Sequence, residues 1–100
     1  MNVYEMMNKY TADGKPFIWT QDINCYVVVN TAARRVVDWC KTQQQAMASA
    51  HRFNCYSFAM SAIKAKDDNA IAAGLATNDA VMRSAFQEAL VDEVCAIHII

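Results

Sequence analysis

Residues 31–66 form an unbroken run of thirty-six residues without a glycine or a proline. These two residue types interrupt regular structure most strongly, so such a run is confined to long regular elements. Its many alanines point to helix, because alanine loses no side-chain entropy on entering one. The run also carries six of the nine Lys and Arg residues against a single acid, Asp38. The expectation is a basic helical spine, either continuous or broken once near residues 52–54.

One hundred residues suffice for one domain with a core that needs no disulfide or metal. Two glycines and one proline leave little material for the turns of an all-β fold. The expected fold is mainly α: a small single-domain helical bundle of three to five helices, spanning residues 1–100, with a short β-hairpin near residues 17–29. The net charge of −1 argues against strong affinity for nucleic acid or an anionic membrane. Charge is nevertheless uneven, at +5 over residues 30–66 and −5 over residues 67–100. Mutual neutralisation of the two segments is one reading, and a basic patch that grips an acidic partner is another. No apolar run approaches the roughly 20 residues needed to span a bilayer. The first seven residues lack the basic start and apolar core of a secretory signal. A cytoplasmic location follows as an expectation, with Cys25, Cys40, Cys55 and Cys95 as free, buried thiols.

Along the chain, Val3, Met6, Met7 and Tyr10 recur at helical spacing and predict a short first helix. Asp13-Gly14 and Pro16 end it in a turn. Phe17-Ile18-Trp19 and the run from Cys25 to Val29 are β-branched and aromatic, and read as the two strands of the hairpin. Asn30 or Thr31 then caps the spine. One stripe of the spine holds Val36, Val37, Cys40, Met47 and His51; a second holds Ala32, Trp39, Ala46, Ala50 and Phe53. Tyr56, Ala59, Met60 and Ile63 face inward in its second half. Asp67-Asp68-Asn69 marks a boundary, with Asp68 or Asn69 capping a helix over residues 70–76 that Gly74 weakens. Thr77-Asn78-Asp79 closes that helix and caps the last. There, Met82, Ala85, Phe86, Ala89, Leu90, Val94 and Ile97 recur at threes and fours. The apolar tail, residues 96–100, must be docked or shared, and makes a homodimer plausible.

Chemistry-bearing patterns are sparse. His51 with Cys55, and Cys95 with His98, have helical spacing that admits a tetrahedral zinc site, but the pairs lie some forty residues apart and lack knuckle glycines. Buried thiols and ordinary histidines are the preferred reading, and neither metal nor cofactor is expected. Cys55, one turn from His51, is the best candidate thiol nucleophile, without an orienting third group. Asp67-Asp68 and Asp92-Glu93 are adjacent pairs, and neighbours on a helix point about 100° apart, so capping or solvation suits them better than acid–base work. Residues 70–90 have the order of a helix-turn-helix, but the second helix offers Arg83 alone against Glu88, Asp92 and Glu93. No phosphate loop, hydrolase serine motif or dinucleotide fingerprint occurs. A non-enzymatic role is expected.

The residues best suited to binding a partner are Trp19, taken as exposed, and Arg34, Arg35, Lys41 and Arg52 on the spine, since Trp and Arg dominate interface energetics. On a continuous helix Arg34, Asp38, Lys41 and Gln45 share one face, so Asp38 would pair with Arg34 or Lys41 within that patch. In length and in the absence of motifs the chain resembles the stand-alone phage and mobile-element proteins that block bacterial defences, the anti-CRISPR proteins among them. The resemblance implies an inhibitor that docks sterically on a larger protein or ribonucleoprotein complex. It carries over no functional residue. The alternative is a nucleic-acid-associated regulator that lays the 31–66 helix on phosphate, and a zinc- or thiol-dependent protein comes third.

Overall fold

The structure, a computed structural model, describes residues 2–10 and 16–99. Its elements in chain order are α1 (Val3–Tyr10), β1 (Phe17–Asp22), β2 (Cys25–Asn30), β3 (Arg35–Cys40), α2 (Gln43–Lys64), α3 (Asp68–Ala76) and α4 (Ala80–Ile99). Among the described residues there are thus four helices and one three-stranded antiparallel sheet in the order β1-β2-β3. The fold is mixed α and β rather than a helical bundle, and the sheet is the correction. The chain divides into two compact units, one of Met1–Ala12 with Cys55–Ile100 and one of Asp13–Asn54. Helix α2 contributes to both.

The largest departure from expectation lies at residues 31–42. The hairpin is present and longer than expected, with Asn24 in the left-handed region at φ 61° in its two-residue turn. The chain then turns again instead of starting a helix. Asn30, expected as a helix cap, accepts from the amides of Ala32 and Ala33 at 3.1 and 3.0 Å and so closes a turn. Arg34 completes that turn at φ 55°, and residues 35–40 return as β3. Val36, Val37 and Trp39 suit a pleated surface better than a helix. The helix begins only after Thr42, whose hydroxyl accepts from the Gln45 amide at 3.1 Å while the Gln45 side chain accepts from the Lys41 amide at 3.1 Å. That reciprocal arrangement is a variant of the capping box. From there α2 runs unbroken through residues 52–54.

In the sheet unit, the first half of α2 is tied to one face of the sheet. Ser49 donates its hydroxyl to Asp38 at 2.6 Å. Asn54, 3% exposed, accepts from the Phe17 amide at 3.0 Å and donates to the Phe17 carbonyl at 2.8 Å. Phe17 stacks on Phe53 with ring centroids 5.0 Å apart. Val28, on the central strand, is fully buried on that face. A register shift opposite Val28 and Val29 puts a bulge in β3.

The helical unit is built around Phe58, Met82 and Phe86, with Val3, Met7, Cys55 and five alanines buried beside them. Phe58 meets Phe86 edge-on at 5.3 Å and Tyr10 at 5.4 Å. Small residues let the helices approach closely. Gly74 is the extreme case, since a Cβ there would lie 2.2 Å from the Phe86 ring. It enables packing rather than weakening α3. Helix α2 ends in a Schellman motif, with Lys66 left-handed at φ 55° and the Asp67 amide donating to the Ala62 carbonyl. The cap of α3 is Asp67, one residue ahead of Asp68 and two ahead of Asn69, the expected caps; the cap of α4 is Asp79, within the expected segment 77–79. Each cap aspartate gives its second oxygen to a tyrosine of α1, Asp67 to Tyr10 at 2.7 Å and Asp79 to Tyr4 at 2.6 Å. The turn expected at Asp13-Gly14 and the docking of the tail's side chains lie outside the described residues. Among the described residues, no helix is long and apolar enough to cross a membrane.

Candidate interaction surface on the sheet

Strand register sorts the side chains of the sheet unit. Trp19, Val28 and Asp38 are direct cross-strand neighbours on the face tied to α2. Thr20, Val27 and Trp39 are neighbours on the opposite face, with Ile18 and Val29 beside them. On this outer face Trp39 is 68% exposed and Ile18 48%, whereas Val27 between them is buried. Two exposed large apolar side chains, one on each outer strand, are thus presented on this face.

The expected partner-binding residues take up different positions. Trp19 is half-buried on the α2 side, tilted against Tyr26 at 6.2 Å, and is not the exposed tryptophan. Arg34 and Arg35 are exposed at the start of β3, and Lys41 is exposed just beyond its end. The six residues of β3, at about 3.3 Å each, separate Arg34 from Lys41. Arg52 lies on α2 with its guanidinium 5.6 Å from the centre of the Phe53 ring. The shared helical face of Arg34, Asp38, Lys41 and Gln45 does not exist, because Arg34 is in a turn, Asp38 in a strand and Gln45 in a helix. The two stripes proposed for the spine dissolve for the same reason over residues 32–40.

Asp38 is occupied internally. Its carboxylate accepts from the Ser49 hydroxyl, from the Trp39 amide at 2.9 Å and from the Cys40 thiol at 3.7 Å. The Ser49 bond does most to hold its carboxyl below the usual range, partial burial opposes that shift, and Arg52 adds a smaller favourable charge. Burial, and then Asp38, push the Cys40 thiol up, which makes it a poorer nucleophile. The Asp38 carboxylate is thus hydrogen-bonded on the face beneath α2 and keeps its negative charge there.

Three of the six acids of residues 67–100 are also engaged. Beyond the two cap aspartates, Asp92 accepts from the Tyr56 hydroxyl, a bond that pushes the Tyr56 phenol up to about 12. Cys55 is fully buried in the helical core. Among the described residues, no three His, Cys, Asp or Glu side chains converge as metal ligands would; Cys95, expected to be buried, is exposed, and the side chain of His98 is outside those described.

Trp39 is the functional candidate missed in the sequence. The signal was present: Val36, Val37 and Trp39 in a strand-like run, bounded by Asn30-Thr31 and by Thr42-Gln43-Gln44-Gln45. Alanine content and the lack of glycine favoured helix over that local pattern. Searches against protein families, curated proteins and solved structures give no match to this chain.

Proposed function

We propose that the protein is a small non-enzymatic interaction module whose sheet unit docks on a larger bacterial protein or ribonucleoprotein complex and blocks it sterically, in the manner of the anti-CRISPR proteins it resembles in size. The observation that carries this reading is the outer sheet face, where Trp39 on β3 and Ile18 on β1 stand in solvent, with Arg34, Arg35 and Lys41 at the ends of β3. Aromatic anchors rimmed by cations are the typical centre of a protein–protein interface.

The test is affinity capture from bacterial lysate with the intact protein, with Trp39→Ser, and with an Arg34→Ala/Lys41→Ala double variant, each with and without nuclease. The reading expects a defined protein complex that survives nuclease and falls at least tenfold with Trp39→Ser. Equal recovery by all three proteins would refute it. A second reading has its own support, because an exposed tryptophan beside cations on an antiparallel sheet is also a stacking platform for single-stranded nucleic acid. Under that reading capture vanishes on nuclease treatment, and oligonucleotides quench the fluorescence of Trp39.

A further inference from the structure

The bases at the two ends of β3 have different surroundings. Arg34 and Arg35 are exposed where the β2–β3 turn runs into the strand, and the described residues at that end of the sheet, 16–17 and 29–37, include no acid. Lys41, just past the other end, lies in the row of Asp22, because Asp22 pairs with Cys25 and Cys25 is one step beyond the Tyr26–Cys40 pair. Two strand widths, about 10 Å, separate the Asp22 and Lys41 backbones. One end of the sheet is balanced by an acid, and the other is cationic.

The cationic end shares its strand with the exposed tryptophan. Trp39 is four residues along β3 from Arg35, about 13 Å at about 3.3 Å per residue. Val36, Val37 and Asp38 lie between them; both valines are half-buried, and the Asp38 carboxylate is bonded to Ser49 on the α2 side. Towards solvent, β3 presents two arginines, an uncharged stretch and an indole.

This spacing separates two classes of anionic partner. A nucleic-acid strand carries a charge at every nucleotide, and proteins that hold single strands follow it with a continuous cationic groove and successive aromatic platforms. Here no base lies between the arginines and the indole, and Trp39 is the only exposed aromatic among the described residues of the sheet. A folded protein can instead set a carboxylate cluster apart from an apolar pocket. Arginine suits such a cluster, because its planar fork bonds both oxygens of a carboxylate.

We infer that the partner of the outer face is an acidic protein surface, which seats the Trp39 indole in an apolar pocket and meets Arg34 and Arg35 with carboxylates about 13 Å from it. The inference rests on the docking reading above and adds the chemistry of the partner. Such a surface is not the lining of a nucleic-acid channel, because that lining is itself basic.

The test is panning of the intact protein against a displayed library of disulfide-cyclised random dodecapeptides, followed by titration of the enriched consensus peptide and of a deoxythymidine dodecamer. Three variants read the site: Trp39→Ser, Arg34→Asn/Arg35→Gln and Lys41→Gln/Arg52→Gln. The last two lose the same charge, and asparagine accepts the left-handed backbone at position 34. The expectation is a consensus with Asp or Glu set apart from an apolar or aromatic residue. Its affinity should fall at least tenfold with Trp39→Ser and with Arg34→Asn/Arg35→Gln, and change less than threefold with Lys41→Gln/Arg52→Gln. Melting temperatures of all three should stay within a few degrees of the parent. A consensus that needs Trp39 but lacks acids, or that weakens equally in the two charge variants, would overturn the inference and leave the docking reading standing. A consensus indifferent to Trp39 would count against both, and absence of any consensus would overturn the inference alone. So would tighter, Trp39-dependent binding of the deoxythymidine dodecamer, which would move the face to nucleic acid.

Discussion

Two residues show how single positions decide the packing. Gly74 is conventionally a weak point in a helix, worth about 1 kcal/mol less than alanine. Here its missing side chain is the space that the Phe86 ring occupies. We expect Gly74→Ala to destabilise the protein by about 2 kcal/mol in urea titration, since overpacking a filled core costs about 1–3 kcal/mol. A gain in stability would mean that the Phe86 ring relaxes freely. Asn54 is the second case: its carboxamide completes the backbone bonding of Phe17, a role that depends on three-dimensional proximity and leaves no trace in residue order. Gly74 was legible as a glycine within a helix, but not as a requirement of a ring twelve residues later.

Among the elements, those with local signals were readable and the one with competing signals was not. Helix α1 and the hairpin follow from spacing and from β-branched runs, and α4 from its apolar recurrence and its Thr77-Asn78-Asp79 start. Strand β3 was lost because the glycine-free run from residue 31 to 66 suggested one element where the chain makes a turn, a strand and a helix. The Thr42 to Gln45 signature was the better guide, since capping satisfies backbone groups that a wrong boundary leaves orphaned. Of the candidate site, the cations were legible as a set, but their distribution over a turn, a strand end and a helix was not. Caps also carry a testable weight. Asp79 accepts from the amides of Val81 and Met82 and from Tyr4. Asp79→Ala should therefore lower stability by about 1–2 kcal/mol, and a chemical-denaturation midpoint within error of the parent would show that water replaces the cap.

At the scale of the whole molecule, stability should respond to pH at both ends. Asp38 and Asp67 sit below their ordinary range, chiefly through the hydroxyls of Ser49 and Tyr10. Their contribution is present above about pH 4 and is lost as pH falls through their folded values. The phenols of Tyr4, Tyr10 and Tyr56 are raised, so theirs is complete below about pH 10 and is lost above it, for Tyr56 as pH climbs towards about 12. Urea midpoints between pH 9 and 12 should fall less steeply for Tyr56→Phe than for the parent, and identical slopes would argue against the Asp92 bond. The paired use of the cap aspartates also bears on the order of folding events. Asp67 and Asp79 cap their own helices through residues two or three positions away, whereas Tyr10 and Tyr4 reach them across 57 and 75 residues. Closing loops of that length costs chain entropy before any contact repays it. Helix α1 should thus join after the barrier, and Tyr10→Phe should speed unfolding while leaving the folding rate nearly unchanged. Stopped-flow measurement of both limbs would settle the order, and a slowed folding limb would place α1 inside the nucleus. A late latch of this kind leaves the two capped helices assembled first and makes the amino-terminal helix the natural first point of release.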